Sequence, residues 1–111
     1  MSLSISTEAN GDSTVIHVCG DLDVYTAPRL RETLEESVPS GGRVVLDLSQ
    51  VQFIDSTALG VLAGAHQAAQ AGGGDFRLVV DDPFLLKIFH ITGFDGIFAI
   101  FSQVEAALVG V

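Results

Sequence analysis

Apolar and polar positions keep changing rhythm along this chain, and each change falls where turn-forming residues sit. Leu3-Ser4-Ile5-Ser6 has the two-residue period of a half-buried strand, and Asn10-Gly11-Asp12 then supplies residues that tolerate positive φ. Thr14 to Cys19 is the natural antiparallel return, so a hairpin opens the fold. Thr26 is placed as the N-cap of a first helix, with Pro28 in the first turn, where its missing N–H costs nothing. Leu30, Leu34 and Val38 follow at four-residue spacing, with Ala27 one step before, and Pro39-Ser40-Gly41-Gly42 stops the helix. Val44-Val45-Leu46 with Leu48 is the near-continuous apolar run of a central strand covered on both faces. A second helix runs from Ser56 to Ala71 and ends at Gly72-Gly73-Gly74. Phe76, Leu78 and Val80 alternate as a strand. Asp82-Pro83 opens a third helix carrying Leu85, Ile88, Phe89 and Thr92, and Gly93 caps it. Ile97 to Phe101 is a last short strand, and Ser102-Gln103-Val104-Glu105 fits a capping box for a C-terminal helix through Leu108.

The predicted order is ββαβαβαβα, an α/β fold with an N-terminal hairpin and about four helices. Strands separated by helices imply parallel crossovers and the hairpin adds an antiparallel pair, so the sheet is mixed. Its strand order does not follow from the pattern. The 111 residues show no internal repeat and no dividing linker, so one domain over residues 1–111 is expected. With 48% hydrophobic residues the chain has ample material for a core. Five Lys plus Arg against fourteen Asp plus Glu leave a net charge of −9. Without a basic cluster, that balance disfavours nucleic acid and anionic lipid and points to a partner with a basic surface. No apolar stretch approaches the roughly 20 residues of a membrane span. The N-terminus lacks the basic and apolar segments of a secretion signal, so a cytoplasmic protein is expected. The single Cys19 excludes an internal disulfide and, in a mainly apolar strand, reads as a small buried hydrophobe.

Two polar clusters carry the candidate chemistry. In Phe53-Ile54-Asp55-Ser56-Thr57-Ala58-Leu59-Gly60-Val61, two hydroxyls and a carboxylate fall where the central strand gives way to a helix. A helix N-terminus offers unpaired N–H groups and partial positive charge, so these residues can cap the helix, and Ser56 can also serve as a phosphoacceptor. The two roles are compatible, because one hydroxyl can cap before modification and carry phosphate afterwards. Gly20-Asp21-Leu22-Asp23 is the second cluster, read as a solvated turn after a strand, in which Asp23 contributes little to stability. Where the two strands run parallel, Asp21, Asp23, Asp55 and Ser56 share the C-terminal edge of the sheet, the usual functional edge of an α/β fold.

Enzyme readings find little support. Gly72-Gly73-Gly74 ends a helix and lacks the Lys-Ser or Lys-Thr of a phosphate-binding loop. Ser56 lacks a Gly-x-Ser-x-Gly elbow, and His66, ten residues along the same helix, is about 15 Å away, too far to activate it. His17, His66 and His90 have no ligand spacing, so no metal site and no cofactor is expected. Phe84, Phe89, Phe94, Phe98 and Phe101 are mostly core candidates, some left exposed if the acidic domain binds a partner through an apolar patch.

Asp55-Ser56-Thr57-Ala58-Leu59-Gly60-Val61, preceded by Phe53-Ile54, resembles the phosphoacceptor motif of bacterial anti-sigma factor antagonists of the STAS domain family. Gly20-Asp21-Leu22-Asp23 with Thr26-Ala27 matches the family's upstream turn, and Leu86-Lys87-Ile88-Phe89 with Thr92-Gly93 resembles its third helix. The run from Asp23 to Pro28 is similar to that of actinobacterial members, and the likeness covers about residues 3 to 109. Thr57 stands where some members have a second Ser, and Ala58 where many have Gly. The resemblance implies a non-enzymatic partner switch. The unphosphorylated antagonist binds an anti-sigma factor that is a serine kinase, and so frees a sigma factor for transcription. The kinase phosphorylates Ser56, or less favourably Thr57, which ends the association, and a PP2C-type phosphatase restores it. Asp21, Asp23, Asp55, Ser56 and Thr57 form the implied partner-binding set. The competing reading is a STAS module without a phosphoswitch, such as a subunit of a lipid-transport ATPase or a signalling scaffold.

Overall fold

The structure is a computed structural model that describes residues 3–38 and 41–109, so the Pro39-Ser40 part of the predicted helix stop lies outside the described residues. Strands β1 (Leu3–Asn10) and β2 (Ser13–Leu22) form the predicted hairpin, and Gly11 in its turn has a φ of 60°. Helix α1 (Ala27–Ser37) leads to β3 (Arg43–Ile54), α2 (Ser56–Ala71) to β4 (Asp75–Val79), and α3 (Pro83–Ile91) through a 3-10 turn at Phe94–Gly96 to β5 (Ala99–Phe101). A short α4 (Val104–Val109) follows. The spatial order is β1-β2-β3-β4-β5, antiparallel at β1–β2 and parallel elsewhere. The mixed sheet and the ββαβαβαβα order are as the sequence predicts.

Alternation along the strands divides the core between the two sheet faces. Ile16 and Val18 of β2, Leu46 and Leu48 of β3, and Leu78 of β4 face one way and are buried by Leu30, Leu62, Leu85 and Phe89 of the first three helices. Val15, Val45 and Val79 face the other way, under Val104, Ala107 and Leu108 of α4. Arg77, also on that side and buried, fixes α4 in place: its Nη1 donates to the Ala107 carbonyl at 3.0 Å and its Nε to Asp75 at 2.9 Å. The guanidinium also lies over the Phe101 ring, 5.2 Å from its centroid. Phe98 anchors the other face, edge-on to Phe76, Phe89, Phe94 and the His66 imidazole.

Three local expectations change. Cys19 is exposed, not buried. It lies on the α4 side of β2, four residues past Val15, the β2 residue that packs in the cluster under α4. Helix α4 begins at Val104 and the Gln103 carbonyl accepts its first bond, from Ala107, which shifts the start one residue past the Ser102 capping box. Strands β2 and β3 are also longer than their apolar runs: Asp21 pairs with Phe53 and Leu22 with Ile54, so ladder pairing carries polar residues into strands.

Candidate partner-binding site

The parallel strands β2 and β3 end level, with Leu22 opposite Ile54, so the segments that leave their C-terminal ends stand side by side at one sheet edge. All five candidate residues fall there. Asp21 is the last residue but one of β2, Asp23 begins the turn after it, and Asp55, Ser56 and Thr57 make the junction of β3 with α2. The two segments are tied together, since the Asp55 N–H donates to the Leu22 carbonyl at 3.1 Å.

At the second junction the capping and phosphoacceptor roles fall on different residues. Asp55 is the N-cap of α2, with extended backbone, and its Oδ1 accepts the Ala58 N–H at 3.0 Å. Ser56 is therefore the first residue inside the helix. It is exposed, as is Thr57, and among the described residues its hydroxyl has no hydrogen-bond partner. A carboxylate caps, and a free hydroxyl stands at the positive end of a sixteen-residue helix.

The β2–α1 turn is built differently from its sequence reading. Thr26 precedes α1, but its side chain makes no capping bond to that helix. Its Oγ1 instead accepts the Asp23 N–H at 2.9 Å and donates to the Asp21 carbonyl at 2.8 Å. Asp23 does the local capping, because its Oδ1 accepts the N–H groups of Tyr25 and Thr26 at 2.9 and 3.0 Å. Asp23 is thus a structural member of a rigid loop, not a passive surface carboxylate. Between these reciprocal bonds the loop holds Val24 and Tyr25 out in solvent. Their exposure was not legible from sequence, where Val24 and Tyr25 look like ordinary apolar residues between polar ones.

Elsewhere, His17 bridges two carboxylates, with Nε2 2.7 Å from Glu8 and Nδ1 2.8 Å from Asp47. The Glu8 and Asp47 hydrogen bonds raise its pKa above the ordinary 6.5, against a smaller opposing effect of burial. Burial pushes the Asp47 carboxyl up, but the hydrogen bonds from Ser49 and His17 outweigh it and leave the pKa lowered. Among the described residues no group of three or more His, Cys, Asp or Glu is arranged to hold a metal ion.

The STAS domain model matches residues 4–107. The chain is 36% identical over 112 residues to an anti-sigma-B factor antagonist of Listeria monocytogenes, covering 99% of this chain and 97% of the relative. It is 31% identical over 108 residues to the protein of that name in Bacillus subtilis, covering 97% and 99%. A crystal structure of an anti-sigma factor antagonist from Mycobacterium paratuberculosis superposes with a TM-score of 0.89 at 29% identity, covering 99% of this chain and 94% of that one. The phosphoacceptor-like junction, the sheet order and these likenesses over nearly the full length agree. The chain belongs to the STAS domain family, among the anti-sigma factor antagonists.

Proposed function

We propose that this protein is the switchable member of a cytoplasmic partner-switching system, acting by binding and not by catalysis. In its unphosphorylated form it binds an anti-sigma factor that is also a serine kinase, and this binding releases a sigma factor. The observation that carries the reading is Ser56 itself: an exposed, unbonded hydroxyl at the start of α2, beside the capping Asp55 and in line with Asp21 and Asp23. Thr57 is the less favoured acceptor, one residue further into the helix.

Phosphoryl transfer joins the Ser56 oxygen to the terminal phosphorus of a nucleoside triphosphate. The bond to the diphosphate breaks, and the hydroxyl proton passes to a base of the kinase. The product phosphate carries about −1.5 to −2 charges at pH 7. The N-terminus of α2 tolerates that charge, so the fold stays intact. At the interface the phosphate adds its charge to those of Asp55, Asp21 and Asp23, on a chain already at −9. Unit charges 4 Å apart repel by about 1 kcal/mol in water and about 4 kcal/mol at an effective dielectric of 20. Added desolvation of a doubly charged group and its bulk make the complex dissociate. A PP2C-type serine phosphatase removes the phosphate and restores binding.

The test is a pull-down from the source organism with unphosphorylated protein, followed by mass spectrometry of the recovered proteins and incubation with ATP. Recovery of a kinase that phosphorylates wild type at Ser56 and leaves Ser56→Ala unmodified supports the reading. Stoichiometric modification of Ser56→Ala moves the acceptor to Thr57. Recovery of transporter subunits with no kinase favours the STAS module without a phosphoswitch.

A further inference from the structure

Three ionisable side chains meet across three adjacent strands, on the sheet face that carries α4. His17 of β2 stands directly opposite Asp47 of β3 in the parallel ladder. Glu8 of β1 is one diagonal step away, since Ser6 is the antiparallel partner of His17. The ring spans both neighbours, with Nδ1 2.8 Å from Asp47 Oδ2 and Nε2 2.7 Å from Glu8 Oε1. A carboxylate only accepts hydrogen bonds, so making both contacts requires a proton on each ring nitrogen. The neutral ring has one N–H and satisfies only one of them.

The two carboxylates differ in how well they stand alone. The Asp47 side chain is only 12% exposed, and its other oxygen, Oδ1, accepts the Ser49 N–H at 3.0 Å, which fixes it in place. The Glu8 side chain is 60% exposed at the sheet edge, where water can replace the imidazole. A buried acceptor that loses its donor costs more than an exposed one, so the single N–H of the neutral ring stays on Nδ1, facing Asp47. Around the ring, Asp81 after β4 and Glu105 of α4 line the open cavity beside it, and among the described residues no Lys or Arg does. The Cys19 thiol follows on the same side of β2. The hydrogen bonds to Glu8 and Asp47 hold the ring's pKa above the ordinary 6.5, so the doubly bonded form persists to higher pH than in a free histidine.

We propose that His17 is a proton-operated clasp on the edge strand: protonated on both nitrogens it ties Glu8 of β1 to Asp47 of β3 across β2, and on losing one proton it keeps Asp47 and lets Glu8 go. The proton lost is the one on Nε2, and it passes to solvent. Strand β1 is the sheet edge and pairs with β2 alone, so the clasp adds a link from β1 to β3 that the backbone ladder lacks. The hairpin end of β1 tightens as pH falls through the His17 midpoint and loosens as pH rises through it. The device is independent of Ser56 and of any partner.

Nuclear magnetic resonance titration over about pH 5 to 9 follows the ring nitrogens of His17 and the side-chain carboxyl of Glu8 in wild type and in Glu8→Gln. In wild type the ring should lose its proton above 6.5, leave the remaining N–H on Nδ1, and carry the Glu8 carboxyl resonance with it at the same midpoint. A glutamine amide accepts from Nε2–H and donates to a bare Nε2, so Glu8→Gln should lower the midpoint and hold the contact in both states. Hydrogen exchange of the β1 amides near Glu8, corrected for its intrinsic pH dependence, should show protection falling about 2- to 5-fold through the midpoint in wild type and staying level in Glu8→Gln. The clasp is overturned if the neutral ring carries its N–H on Nε2, or if the Glu8 resonance ignores the His17 midpoint. It is equally overturned if wild-type protection stays level, or if Glu8→Gln leaves the midpoint where it was. The wild-type titration needs no substitution, so it decides the matter even where the variant fails to fold.

Discussion

Replacing Asp55 or Ser56 separates the residue that caps α2 from the residue that switches the protein. Asp55→Ala removes the Oδ1 acceptor that holds the Ala58 N–H at 3.0 Å. Loss of an N-cap typically costs about 1 kcal/mol, and loss of a carboxylate from the positive helix end about 0.5 kcal/mol more. Unfolding entropy near 2.1 cal/mol/K per residue gives about 0.23 kcal/mol/K for a chain of 111 residues, so Tm should fall by about 6 °C. Asp55→Asn keeps an acceptor and should lose less than half of that. Ser56→Ala touches an exposed hydroxyl with no cap to lose, so its effect should stay within about 0.5 kcal/mol, or about 2 °C. Ser56→Asp brings a carboxylate to the helix start and should melt no lower than Ser56→Ala. Thermal melts of the four variants at pH 7, followed by circular dichroism, test the ordering. A Ser56→Ala protein as unstable as Asp55→Ala would mean that the hydroxyl caps, and the division of roles would be wrong.

Asp23→Ala leaves two backbone N–H groups of the β2–α1 turn without their acceptor, so it should destabilise by about 1 kcal/mol in urea melts and also loosen kinase binding through the disordered turn. Arg77→Met removes the donor to Ala107 and the link to Asp75 beneath α4, and should lower the urea midpoint by the equivalent of roughly 1.5–3 kcal/mol. His17 has its pKa raised in the folded protein, so its contribution to stability is fully present below about 6.5 and is lost as pH rises through the higher folded value. Wild type should therefore lose its stability advantage over His17→Gln as pH rises above about 6.5, and a difference independent of pH would refute the bridge between Glu8 and Asp47.

Local signals in the sequence were strong where backbone preference and burial agree. The Ser56–Ala71 helix is bounded by a cap residue before it and three glycines after it, and the structure gives it the same limits. The hairpin is specified by Asn10-Gly11-Asp12, where Gly11 takes the positive φ that the tight turn needs. Strand order is different in kind: α1, α2 and α3 all pack on one face, so each right-handed crossover steps the sheet the same way, and which face a helix covers is settled by tertiary contact. The candidate edge was legible as residue types, because Asp-Ser after an apolar strand is a local pattern. Who caps what was not. Thr26 and Ser56 are both good capping residues by type, but in each case a nearby aspartate takes the N–H groups. The exposure of Val24, Tyr25 and Phe84 was equally hidden, since apolar type alone points inward and only the folded loops turn these side chains outward.

The central claim is that charge on Ser56 ends partner binding, and one titration tests it most directly. The purified anti-sigma kinase is titrated with unphosphorylated protein and with protein phosphorylated stoichiometrically at Ser56, at the same ionic strength and with the same bound nucleotide. The account predicts a loss of about a hundredfold or more on phosphorylation, equivalent to about 2.7 kcal/mol, with Ser56→Ala binding like the unmodified protein. Equal affinity for the phosphorylated and unphosphorylated forms would contradict it.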